Sequence, residues 1–121
     1  MSLREQQCRF TVLLVELLQW AHQQGYQIAL KEVLRTVEQQ RRYVAQKRSQ
    51  TMASAHLHGL AVDLALFIDG EYQTTTEAYQ PLGEYWEALD PACLWGGRWE
   101  RFRDGNHFEV HFGRTAGEPA A

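Results

Sequence analysis

Residues Ala61 to Asp69 read Ala-Val-Asp-Leu-Ala-Leu-Phe-Ile-Asp, a strict two-residue alternation. Val62, Leu64, Leu66 and Ile68 fall on one side of a strand and Ala61, Asp63, Ala65 and Phe67 on the other. The chain must place this strand in a sheet with one apolar face against a core. The opposite face carries a carboxylate between two alanines, which leave room around it. A carboxylate on a strand this apolar needs a partner, and a cation is an economical one.

Ligand-type residues surround that carboxylate in sequence. Ser54-Ala55-His56-Leu57-His58-Gly59 precedes it, and Asp104-Gly105-Asn106-His107-Phe108-Glu109 follows over forty residues later. Two imidazoles and a carboxylate form a ligand set that zinc accepts, and a leftover carboxylate suits a general base. Were these groups to meet in space, the chemistry would be that of a metallohydrolase. Gly59 allows a sharp turn after His56 and His58. Those two histidines are two apart and both face one metal if the segment is extended, so spacing does not choose between them. His107 and His111 are four apart, but Phe108, Val110 and Phe112 alternate with them, which predicts a strand. Four strand residues span about 13 Å, too far for two ligands at about 2 Å from one zinc. Asp104 has two readings of equal standing, a base beside the metal or an Asx-turn residue capping its loop.

Elsewhere, Phe10, Leu13, Leu14, Leu17, Leu18 and Ala21 have helical spacing and predict a helix from about residue 3 to 24, with Gly25 as its stop. A short strand follows from Tyr26 to Leu30, running towards Arg35. Thr36-Val37-Glu38-Gln39 has capping-box spacing and opens a second helix from Val37 to about Lys47. Lys47 to Ser54 read as a polar loop. Asp69-Gly70 signals a hairpin with a return strand at Tyr72. Leu82, Tyr85, Trp86 and Leu89 give a third helix with Pro81 near its first turn. Trp95-Gly96-Gly97-Arg98-Trp99 reads as a glycine-hinged aromatic loop, its tryptophans being candidates for a cleft wall or for core. Residues 114 to 121 read as a frayed tail. Helices and hairpin strands mix without a βαβ rhythm, so the expected class is α+β: one domain over residues 1–121, a small antiparallel sheet packed by two or three helices.

A net charge of −3 argues against a partner recognised through its phosphates, so no nucleic acid is expected. The basic cluster Arg41-Arg42 with Lys47-Arg48 is read as a solvated face. Cys8 and Cys93 lie outside any CxxC pair and are both read as buried small hydrophobes; one bridge between them is open. The apolar run Phe10 to Leu18 is interrupted by Glu16, has no cleavage site after it and is too short to span a membrane. The chain is therefore expected to be cytoplasmic when synthesised, with no stable membrane insertion. Oligomeric state is not legible.

The motifs carry a resemblance. Ser54-x-His56-x-x-Gly59-x-Ala61-x-Asp63-Leu64 resembles the S-x-H-x-x-G-x-A-x-D-[LI] signature of a zinc-peptidase family. That family comprises D-Ala-D-Ala carboxypeptidases, VanX and VanY, and L-alanyl-D-glutamate endopeptidases. Asp104-x-x-His107-Phe108-Glu109 resembles its second signature, [DE]-x-x-H-[FW]-[EQ]. Arg35-Thr36-x-Glu38-Gln39-x-x-x-Tyr43 is similar to its R-[ST]-x-x-x-Q segment, and Trp95-Gly96-Gly97-x-Trp99 to its phage endolysin branch.

The resemblance implies a hedgehog/DD-peptidase-like fold and a Zn2+ cofactor held by His56, Asp63 and His107, with His58 and His111 outside the ligand set. It makes Asp104 the general base and then the acid. It gives Arg35 a substrate-holding or oxyanion role and places Ser54 near the substrate, with Trp95 and Trp99 as further candidates there. The implied partner is a peptidoglycan stem peptide, reached at the cell wall after release, and the implied reaction is L-alanyl-D-glutamate endopeptidase hydrolysis. Rival readings are a D-Ala-D-Ala carboxypeptidase or dipeptidase, and a non-catalytic, zinc-stabilised wall-binding module. Two departures fall in the substrate loops: Leu89-Asp90-Pro91-Ala92-Cys93-Leu94 replaces a common Leu-Gly-Leu, and Asn106 stands where the endolysin branch often has proline.

Overall fold

A computed structural model describes residues 1–47, 54–101 and 103–113. The expected polar loop falls largely within 48–53 and the expected tail within 114–121, both outside the described residues.

Helix α1 spans Leu3–Gln23. Ser2 caps it: its hydroxyl accepts from Glu5 N–H at 3.1 Å, and the Glu5 carboxylate accepts from Ser2 N–H, a reciprocal capping box. The helix stops where Gly25 takes a positive φ of 86°. There Gly25 N–H donates to His22 and Tyr26 N–H to Ala21, the paired bonds of a Schellman end. Its buried side is Phe10, Leu13, Leu17 and Ala21, the face the periodicity marks. Cys8 lies on the exposed side, against its reading as a buried hydrophobe, and both cysteines are free. No helix among the described residues is long and apolar enough to cross a membrane.

Strand β1 spans Gln27–Glu32 and leads to α2, Val37–Ala45, which Thr36 caps through Gln39 N–H at 3.1 Å. Strand β2, Ala61–Ile68, turns through Asp69-Gly70 into β3, Glu71–Tyr72. Helix α3 spans Thr76–Leu89. It starts earlier than the apolar spacing indicates, and Pro81 falls inside it rather than near its first turn. Thr75 is its cap, accepting from Ala78 N–H at 3.2 Å, so three consecutive threonines that resemble loop are the helix entry. Strands β4, Cys93–Trp95, and β5, His107–Val110, complete the fold. Among the described residues the architecture is the expected α+β arrangement, three α-helices on a small antiparallel sheet.

The sheet order is β1-β2-β5-β4, with β3 extending the end of β2. Val62, Leu64 and Leu66 join Phe108, Val110 and the buried sides of α1 and α3 in one apolar core. Trp86 of α3 meets Phe10 of α1 edge-on at 5.9 Å and Phe108 of β5 at 6.3 Å, tying both helices to the same face. The register sets out the other face. Glu32 of β1 pairs with Asp63 of β2, and Asp63 pairs with His107 of β5. A bulge in β1 between Leu30 and Glu32 brings Glu32 into that row. Three polar residues from distant parts of the chain thus form a line across three strands, on the side away from the core.

Candidate metal centre

The 54–60 segment delivers the first imidazole. Ser54 Oγ accepts from His56 N–H at 3.3 Å and caps a single 3-10 turn, Ala55–His58. Gly59 closes it at φ 66°, where Leu60 N–H donates to Ala55. His56 is 1% exposed and points inward, whereas His58 is exposed. The segment is not extended, and in a 3-10 turn residues two apart point in different directions. That local conformation separates the two histidines where their spacing does not.

His56 Nδ1 lies 2.9 Å from Val33 O. A carbonyl only accepts, so Nδ1 carries the proton and Nε2 holds the lone pair. Nε2 is buried, makes no hydrogen bond among the described residues, and faces Asp63 Oδ1 at 3.3 Å. His107 Nδ1 faces the same oxygen at 3.2 Å. The ligand atoms of His56, Asp63 and His107 all lie within 4.8 Å of one another. His111 lies beyond His107 at the far end of β5 and is not part of this group.

The electrostatics show what the cluster lacks. Burial would raise the Asp63 carboxyl, but the hydrogen bond from His107 and the positive charge available on the two facing imidazoles outweigh it and hold it well below the usual carboxylate range. Burial would lower His107, but hydrogen bonds to Asp63 and Glu109 push it up to about 9. The group draws protons in because it is short of positive charge. An orphaned buried imidazole nitrogen, a second imidazole and a carboxylate fit a divalent metal, and zinc accepts this donor set.

Asp104 sits on the turn before β5. The turn closes through its backbone, His107 N–H donating to Asp104 O at 3.1 Å and Asp104 N–H to Gly96 O at 3.0 Å. The carboxylate is half-exposed, with Oδ2 4.0 Å from His107 Nδ1. Its pKa is raised, by desolvation first and the Asp63 charge next, against the opposing pull of His107, His56 and Arg35. A side chain at Gly96 would come within 2.3 Å of Asp104 O, so this approach requires glycine. Asp104 also lines a polar pocket of about 230 Å³ with Thr75, Thr76, Arg103 and Asn106.

Arg35 reaches the group from the loop after β1, its backbone N–H donating to His56 O at 2.9 Å. Its guanidinium donates to Glu32 from Nε at 2.6 Å and to Gln40 from Nη1 at 2.7 Å. Ser54 Oγ is 3.5 Å away and the Tyr43 ring lies under it at 4.6 Å. Trp99 packs on His107, ring centroids 4.9 Å apart. Trp95 does not wall a cleft. It is 3% exposed, its ring fills the space over Gly83 and Gly97, and its indole N–H donates to Gly105 O at 2.7 Å. Its bulk is needed in the core, and its one polar atom steadies the loop carrying Asp104.

Two participants escape sequence reading. Val33 contributes only a carbonyl, which no side-chain pattern reveals. Glu109 is 1% exposed and lies 2.7 Å from His107 Nε2; its position two residues from His107 on a strand was the available signal.

A family model described as D-alanyl-D-alanine carboxypeptidase matches residues 47–110. The L-alanyl-D-glutamate peptidase of Listeria phage A118 is 34% identical over 101 residues. That match covers 80% of this chain, which spans only 35% of the relative's length. Among solved structures, the Serratia marcescens L-Ala D-Glu endopeptidase ChiX is similar with a TM-score of 0.62 and 30% identity, over 70% of this chain and 67% of that one. The vancomycin resistance D,D-pentapeptidase VanY, solved in complex with Zn(II), shares the fold with a TM-score of 0.56 at 22% identity, over 84% of this chain and 70% of that one.

Proposed function

The chain belongs to the D-alanyl-D-alanine carboxypeptidase family, and on that premise we propose that it is a zinc-dependent peptidase cleaving the L-Ala–D-Glu bond of peptidoglycan stem peptides. The observation that carries the metal reading is the convergence of His56 Nε2, Asp63 Oδ1 and His107 Nδ1, two imidazole nitrogens facing one carboxylate oxygen. The choice of bond rests on the phage peptidase and ChiX, whose identities of 34% and 30% exceed the 22% of VanY.

His56, Asp63 and His107 would hold the zinc, which when bound supplies Lewis-acid polarisation and makes a nearby water easier to deprotonate. Asp104 is the proton carrier. Its carboxylate takes a proton from the attacking water as the new C–O bond forms, then gives it to the departing amine nitrogen as the C–N bond breaks. Its raised pKa suits the first half of that cycle, because a carboxylate that binds protons more readily is a better base. Arg35 supplies fixed positive charge for the developing oxyanion or for a substrate carboxylate, and Glu32 and Gln40 hold its guanidinium still. Ser54 keeps His56 in its turn and reaches Arg35, and Trp99 offers an aromatic surface beside His107. The substrate lies in the cell wall, which the protein reaches after release from the cytoplasm.

Purified protein incubated with defined muropeptides tests the bond. Appearance of a new D-Glu amino terminus supports the endopeptidase. Release of terminal D-Ala with the L-Ala–D-Glu bond intact makes it a carboxypeptidase instead, and binding to wall fragments without any hydrolysis makes it a wall-binding module.

A further inference from the structure

Glu109 is a carboxylate with almost no access to water, 1% exposed, in the middle of the sheet. Its backbone pairs with Ala61 on one side and Leu94 on the other, and its carbonyl accepts from Trp86 Nε1–H at 3.0 Å. That anchorage fixes where its side chain starts. Glu109 Oε1 then lies 2.7 Å from His107 Nε2. A carboxylate oxygen accepts, so this contact holds a proton on Nε2, and the ring is left to offer a lone pair to a metal through Nδ1. Nδ1 is the nitrogen that faces Asp63. His56 is arranged the other way round: Val33 O holds its Nδ1, leaving Nε2 for Asp63. The two rings present opposite nitrogens because different partners hold their far sides.

We propose that Glu109 is a positioning residue of the metal centre, holding the His107 ring by Nε2 so that it coordinates through Nδ1. The proposal rests on the zinc reading. It is tested with zinc itself, on the whole chain and the variants Glu109→Gln and Glu109→Leu. Zinc affinity is read by competition with a chromophoric chelator, the protonated His107 nitrogen by long-range proton–nitrogen NMR of the zinc-loaded protein, and folding by circular dichroism.

The parent binds one zinc, with its His107 proton on Nε2 and a far-downfield resonance. Glu109→Leu loses that resonance and binds zinc roughly 10–100-fold more weakly. Glu109→Gln keeps the proton on Nε2, moves its resonance upfield and loses less affinity. If Glu109→Leu does not fold, the near-isosteric glutamine variant decides. Folded variants that hold zinc as tightly as the parent with the resonance unmoved overturn the proposal and leave the zinc reading standing. A parent that binds no zinc overturns both.

Discussion

His56 Nε2 and Asp63 Oδ1 face each other at 3.3 Å, the first a buried lone pair with no hydrogen bond among the described residues and the second a carboxylate oxygen. Two acceptors at that distance repel unless something positive lies between them. Asp63 is fixed there by its register with His107, and His56 by a capped turn closed at Gly59. The fold therefore holds apart groups that only a proton or a metal draws together.

Removing one of those groups abolishes metal retention without dissolving the fold. Asp63→Ala deletes the carboxylate that faces both imidazoles and lowers zinc affinity by more than about 100-fold, beyond the range for outer-sphere partners. Equilibrium dialysis against zinc measures it; affinity within a factor of about three of the parent is incompatible with Asp63 as a ligand.

Asp104→Ala separates catalysis from binding. The side chain is half-exposed and its turn closes through the backbone, so the variant keeps its fold and its zinc. Muropeptide hydrolysis falls by roughly 10²–10⁴-fold, the usual contribution of a positioned acid–base group. A variant that still turns over at the parent's rate removes Asp104 from its role.

The metal-free protein has a pH window of maximum stability. His107, raised from 6.5 to about 9, contributes fully below pH 6.5, and that contribution is lost as pH climbs through 9. Asp63, depressed from 3.8, contributes above that value and loses its contribution as pH falls below it. Urea midpoints in EDTA should stay level between about pH 4 and 6.5 and decline on either side. Zinc removes the alkaline decline, because bound imidazole carries no extra proton. Midpoints in EDTA that stay flat from pH 7 to 9.5 contradict the assigned charges.

Gly96→Ala drives a methyl group into Asp104 O and the His107 Cβ, at 2.3 and 3.0 Å. The loop must shift, at a cost of about 1–3 kcal/mol in stability, and hydrolysis falls more than stability does. Thermal melts and muropeptide assays on the same preparation measure both; unchanged activity means that the Asp104 turn does not depend on this contact.

The two thiols differ in reactivity. Burial, with the Asp90 charge behind it, pushes Cys93 up to about 12, whereas Cys8 is exposed on α1. A disulfide exchange reagent titrates one thiol rapidly in the native protein and both in denaturant. Two fast thiols indicate that β4 opens readily.

Much of this was legible in the chain. Helical spacing from Phe10 to Ala21 marks the face of α1 that is buried, and alternation in β2 places Asp63 opposite the core, because both depend on local periodicity. What spacing leaves open or misses has a common cause. Spacing does not choose between His56 and His58, and residue type misplaces Trp95 and Cys8, because whether a side chain points inward is decided by a turn or by tertiary packing. The 3-10 conformation turns His58 out, Gly83 and Gly97 draw Trp95 in, and Cys8 falls on the wet side of an otherwise well-read helix. The start of α3 was hidden because threonine favours strands and caps alike. Glu109 stood inside a recognised motif, yet its contact with His107 Nε2 appears only once the strand is built.

The most direct test is an anomalous-scattering map recorded at the zinc absorption edge from crystals grown with zinc. A single strong peak is expected about 2.0–2.2 Å from His56 Nε2, an Asp63 oxygen and His107 Nδ1. No peak there, or a peak on His107 Nε2 or His58 instead, contradicts the metal centre on which the proposed peptidase rests.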